Sequence, residues 1–303
     1  MSTMDAMENP LRSVKERSSW VLKQLKILSQ DRGAFISMII LGVFVFLGLF
    51  GPHIAPHHPI EHTMRQGASV MRLESPSLAA PFGTTQYGKD VFSQFLTGAR
   101  PTLIAGVVGG LFAAAFGFLV GLTAGYFGGW VDEVLMRFTD LAFALPGLPL
   151  VILILSFVEP SVWLISVAYL AIIWKQTARV LRSEVITVKE RTFVKGARAS
   201  GAGHLRTMFV HVAPNVLPIG FLYGAYSVGW AIYGQAGIAF LGFGDPSTTS
   251  WGRMLRQAFD SGSMREAWWW VIPPALGIAL VCVAVFFIGR AYEEIVNPEI
   301  SEA

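Results

Sequence analysis

Six long stretches of this 303-residue chain contain no Asp, Glu, Lys or Arg. They run from Gly33 to Ile60, Pro101 to Val131, Leu141 to Val158, Pro160 to Trp174, Val212 to Gly244 and Ala267 to Gly289. A helix needs roughly 20 apolar residues to cross about 30 Å of hydrocarbon, and its backbone must bond internally there. The stretches therefore predict six transmembrane helices. The fourth is short, and spans if Lys175 snorkels and the helix continues towards Ala178. Charged residues make up 14% of the chain, against about 25% in soluble domains. The fold class is an all-α membrane protein. Cys282, the one cysteine, lies inside an apolar run, which excludes a disulfide framework and a cysteine metal site.

Lys and Arg set the orientation. Six precede the first span: Arg12, Lys15, Arg17, Lys23, Lys26 and Arg32. Eight more lie between Lys175 and Arg206. An even number of spans puts both termini and this loop on one side, so that side is cytoplasmic. The loops 53–98 and 245–266 hold three basic residues each and face outward. The basic balance is juxtamembrane and gives no nucleic-acid signal. Before the first span, Val14, Val21, Leu25 and Leu28 recur at helical spacing near Trp20. That segment reads as an amphipathic helix on the membrane lipid surface, or as a solvated arm.

The stretch "FGTTQYGKD" (82–90) imitates a phosphate-binding loop. Gly83 and Gly88-Lys89 match G-x-x-x-x-G-K, but Asp90 stands where a Ser or Thr should hold Mg²⁺. The segment falls in an outward loop with no strand-rich domain to carry it, so no nucleotide site is expected. His53, His57, His58 and His62 cluster nearby. Their spacing admits a metal, but Pro52, Pro56 and Pro59 oppose a regular helix, and exposed loop histidines are the expected reading.

The same outer segment, "FGTTQYGKDVFSQFLTGARPTL", resembles the C-type permease subunits of dipeptide, oligopeptide and nickel ABC importers. The resemblance continues in "GYFGGWVDEVLMRFTDLAFALP" (125–146), "KERTFVKGARASGAGHLRTMFVHVAPNVLP" (189–218) and "FLGFGDPSTTSWGRML" (240–255). It implies a type I ABC importer fold with a cytoplasmic coupling helix. The organisation is then a cytoplasmic amphipathic segment (1–33), a first span (34–52), an external loop (53–98), a permease core (99–290) with a coupling loop (179–212), and a cytoplasmic tail (291–303).

The third block resembles the loop that docks such permeases onto a cytosolic ATPase. Residues 189–199 form a short helix ended by Gly201 and Gly203. A second short helix, 204–211, leads to Pro214 and Pro218. Phe193 and Ala197 share a face, flanked by Arg191, Lys195 and Arg198. The family's Glu-Ala-Ala is replaced by Lys195-Gly196-Ala197, and Gly196 weakens the helix by about 1 kcal/mol.

Inside the membrane, Gly106, Gly110, Gly117, Gly121 and Gly125 favour close helix packing. Asp140 is either a functional acid or a structural one, in an ion pair or capping a neighbouring helix. Pro146 and Pro149 kink the third span. Tyr223, Tyr226, Trp230 and Tyr233 form a stripe that is either core or substrate pathway. Gln235 stands where the resemblance implies an acid. Trp268-Trp269-Trp270 reads as an interfacial anchor.

The expected function is the transmembrane subunit of an ATP-driven importer, most plausibly for peptides, with oligosaccharides and nickel chelates as alternatives. The resemblance implies a second, homologous permease subunit, two cytosolic ATP-binding subunits and an external substrate-binding protein. It implies no cofactor and no catalytic residue in this chain. A secondary transporter is the alternative of another class, but proton coupling should show several buried acids.

Overall fold

The computed structural model describes residues 31–296. Nine helices account for about three quarters of them. They are α1 (Arg32–Ile54), α2 (Val91–Phe127), α3 (Gly129–Ala144), α4 (Gly147–Leu155), α5 (Val162–Lys189), α6 (Thr192–Ala199), α7 (His204–Phe243), α8 (Trp251–Asp260) and α9 (Trp268–Val296). Strands β1 (Arg65–Gln66) and β2 (Ser69–Val70) make a small hairpin in the loop between α1 and α2. The amphipathic segment expected over 1–33 lies almost wholly outside the described residues.

The glycines of α2 decide how the bundle packs. Gly109, Gly117, Gly121 and Gly125 press on the backbone at Ser166, Trp174, Ala178 and Arg182 of α5. Both series ascend together, so α2 and α5 run parallel. On its other side α2 meets α7 in the opposite sense, with Gly106 at Ile232, Gly110 at Val228, Ala114 at Gly224 and Phe118 at Gly220. Small residues at four-residue spacing allow this approach, and a Cβ on Gly125 would come within 2.8 Å of the Arg182 carbonyl. α1 is antiparallel to α2 through Gly48 and Gly51, and α9 is antiparallel to α7 through Gly289 and Tyr226. The start of α1, the ends of α2, α5 and α9, and the start of α7 therefore share one end of the bundle.

Five helices are long and apolar enough to cross a membrane, and α3 with α4, bent by 83°, brings the number to six when the pair is counted as one broken span. The third span thus differs from the single kinked helix expected over the apolar run 141–158. Leu145 is extended (φ −77°, ψ 130°), because the ring of Pro146 disfavours helical backbone before it. The run is split, and most of α3 precedes it.

The fourth span also differs. α5 continues to Lys189, so residues 179–189 of the expected coupling loop are its last turns. Leu181, Val185 and Val188 are buried against the end of α2, and this apolar stripe outweighs the surrounding charges. Likewise no break separates 204–211 from the fifth span. A π-helical segment, Thr207–Val212, precedes Pro214, and the Asn215 side chain donates to the His211 carbonyl at 2.7 Å. A wider turn tolerates the missing N–H.

At the opposite end of the bundle, Trp251 of α8 is fully buried. It stacks on Phe95 at 5.5 Å and donates its indole N–H to the Phe95 carbonyl at 2.9 Å. Of the three consecutive tryptophans, only Trp268 is exposed as an anchor would be. Trp269 and Trp270 are buried, and Trp269 donates to the Thr84 carbonyl at 3.2 Å.

Candidate functional site

The phosphate-loop look-alike proves to be a helix cap. Gly83 and Gly88 take φ values of 67° and 68°, which favour glycine. They fold the loop so that Thr85 N–H reaches the Lys89 carbonyl at 2.9 Å. Asp90 then caps α2, accepting from Phe92 N at 3.1 Å and Ser93 N at 3.2 Å. Ser93 Oγ and His57 Nδ1 also meet its Oδ2, at 2.6 and 3.2 Å. The helix terminus that would attract a phosphate already holds the chain's own carboxylate. Lys89 is spent on the Thr63 hydroxyl (2.9 Å) and the Glu61 carbonyl (3.2 Å). His57 stacks on His62, and among the described residues no three metal-ligating side chains come together.

A cleft of about 650 Å³ opens between α3–α4, α5 and α7. Tyr223, Tyr226, Trp230 and Tyr233 form its α7 wall, opposite Tyr169, Ile172, Ile173 and Gln176 of α5 and Phe143 and Leu148 of α3–α4. The stripe is braced from behind, with Phe286 of α9 5.5 Å from Tyr226 and 6.4 Å from Trp230. Trp230 and Tyr233 keep 58% and 64% of their surface exposed. Lys175 is the charged residue of the lining, and its Nζ donates to the Ala142 carbonyl at 2.7 Å. Such a wall offers stacking surface and scattered hydroxyls, which suits ligands of mixed polarity.

Asp140 and Gln235 are not part of that lining. Asp140 pairs with Arg179 at 2.8 Å, both side chains about half exposed. Gln235 is buried, with its Oε1 unpartnered. The α5 side of the cleft was not singled out in the sequence. Its stripe at 169, 172, 173 and 176 is ordinary helical spacing, which packing residues share.

At the shared end of the bundle, α6 is a short amphipathic helix hung on one side chain. Val194 is buried with Tyr126, Val188, Met208 and Val212. Arg191, the cap residue before α6, is exposed, as are Phe193, Lys195 and Gly196; Ala197 is half-buried. Lys195 pairs with Glu190 at 3.0 Å and holds that carboxyl below its usual range. Gly201 has φ 85°, and nothing lies within 4 Å of a Cβ placed on Gly196, Gly201 or Gly203. The bonds from Gly201 N to the Arg198 carbonyl and from Ala202 N to the Ala197 carbonyl close the helix. Arg198 lies over the Tyr126 ring at 5.1 Å.

Comparison with known proteins bears on this arrangement. Residues 117–301 match the family described as binding-protein-dependent transport system inner membrane component. Residues 22–76 match the N-terminal TM domain of oligopeptide transport permease C. The dipeptide transport system permease protein DppC of Haemophilus influenzae is 31% identical over 279 residues, covering 90% of this chain and 92% of that one. DppC of Alkalihalophilus pseudofirmus is 30% identical over 93% of this chain and 90% of its own. The di/tripeptide transport system permease protein DppC of Pseudomonas aeruginosa is 31% identical over 91% of each. With the matched family region spanning α3 to α9 and relatives covering both chains almost end to end, this protein belongs to the binding-protein-dependent transport system inner membrane component family.

Proposed function

We propose that this chain is a transmembrane subunit of an ATP-driven importer for peptides. It would form the translocation pathway together with a second, homologous permease subunit. Cytosolic ATPases supply the hydrolysis, and an external binding protein delivers the substrate. The observation that carries the reading is the family match over the region holding both the cleft and α6. Relatives named for dipeptides and di/tripeptides support the substrate class.

The geometry is consistent with such work. α6 is anchored to the rest of the chain through the buried Val194 and leaves Phe193 and Gly196 exposed, so a partner can engage that face. The aromatic wall accepts varied side chains by stacking, while peptide backbones find hydroxyls and the Gln176 amide. The start of α1 and the end of α9 lie at the same end of the bundle as α6, which supports a reading in which that end faces the cytoplasm.

The test is reconstitution. The chain is co-expressed with candidate permease, ATPase and binding-protein partners, and ATP-dependent uptake of labelled di- and tripeptides into liposomes is measured. Peptide uptake that requires both ATP and the binding protein is the expected result. Uptake driven by a proton gradient without ATP would favour a secondary transporter.

A further inference from the structure

Within this chain α3 is weakly rooted. Thr139 is its one buried residue, while Val134, Phe138 and Leu141 are exposed. Beside the stacking of Phe138 on Trp174 and the packing of Ala142 against the cluster of Ala113, Trp174 and Ala178, it is held by polar tethers that all come from α5. Arg182 forms a two-pronged ion pair with Asp132, in which Nη2 meets Oδ2 at 2.6 Å. Arg179 reaches Asp140 at 2.8 Å, and Lys175 reaches the Ala142 carbonyl at 2.7 Å. Spacings of four and three residues put these cations along one face of α5. The Arg182–Asp132 rung is the most sheltered, its side chains 34% and 18% exposed.

Both ends of α3 are joints. Gly128 precedes it and Gly129 opens it, at φ 66° and 54°, and the 83° elbow follows it. Beyond that elbow and just before it, Leu148 and Phe143 form one wall of the cleft. α5, by contrast, is locked to α2 by the glycine contacts. Its last turn shares a core cluster with α6, through Val188 and Val194. A movement of α6 is therefore delivered to α5 directly, and to the cleft wall through the tethers.

We infer that the Arg182–Asp132 pair is a transmission link, making these two positioning residues for transport. A two-pronged pair fixes both the spacing and the rotation of two helices, so α3 follows α5 as a strut. Without it, α5 still moves with α6, but α3 is free to pivot at its glycines and the cleft does not respond. The inference rests on the importer reading.

The complete transporter, with its ATPases and binding protein, is reconstituted in liposomes, and peptide imported per ATP hydrolysed is measured. Asp132→Asn and Arg182→Gln should assemble and hydrolyse ATP, but import per ATP should fall about tenfold. Arg182→Lys keeps the charge and loses the fork, and should fall in between. The double variant Asp132→Asn/Arg182→Gln should be no worse than either single, because the two side chains act as a unit. An unchanged ratio in the single variants overturns the link. So does a loss of import in strict proportion to the amount of assembled complex, a result Arg182→Lys can still give if the neutral variants do not assemble. If the wild-type complex shows no ATP-driven peptide uptake, the importer reading fails instead.

Discussion

At the residue scale, the positions that matter most carry almost no side chain. Gly110 lies against the backbone of Val228, with no room for a Cβ. Gly110→Leu should destabilise the subunit by about 1–3 kcal/mol or more, because overpacking at a backbone contact cannot relax by a rotamer change. A lower melting temperature in detergent checks it. Asp90 makes the opposite case, since its value lies in what its carboxylate satisfies. Asp90→Ala should cost about 0.5–2 kcal/mol through loss of the α2 cap, readable in the same melt. Lys89→Ala should leave nucleotide affinity of the assembled transporter unchanged, as Lys89 serves only the outer loop. A nucleotide-binding loss confined to that variant would revive a phosphate site there.

At the element scale, α6 and the aromatic face of α7 can be separated experimentally. Gly201→Val forces a β-branched residue to φ 85°, at a cost of about 1–3 kcal/mol. Transport should fall sharply while membrane insertion persists. Phe193→Asp leaves the helix intact but puts a charge where a partner would close over it, so the ATPases should co-purify less well. Normal uptake from both variants would remove α6 from the coupling path. Tyr226→Ala and Trp230→Ala should alter transport with assembly retained, measured as uptake against complex yield; failed assembly would mark the stripe as packing. The helix ends were harder to read in the sequence than the helices. Six apolar runs reveal six crossings, and Gly201 reveals the end of α6, because water, lipid and steric rules act locally. The extension of α5 to Lys189 was hidden, since its Leu181, Val185 and Val188 stripe sits among charges that suggest a loop. Val194 and the Asp132–Arg182 pair were equally hidden, because both depend on which helices become neighbours.

At the scale of the whole molecule, the polarity of the helices predicts sidedness. Thr187 near the end of α5 and Gly67 in the β1–β2 turn are both exposed and lie at opposite ends of the bundle. In a Cys282→Ser background, Thr187→Cys should react only with reagents admitted to the cytoplasm, and Gly67→Cys with impermeant reagents outside. External labelling of Thr187→Cys would invert the topology. The meshing of α2 with α5 and α7 also limits how such a molecule can change shape. Its glycines engage the neighbouring backbones every four residues, like a toothed rack between two others. Sliding by less than a turn, about 5.4 Å, would drive backbone into backbone, so these three helices have no low-energy axial shift. They can tilt only as one block, and α3, tied to α5 through Arg182 and Asp132, is carried along with it.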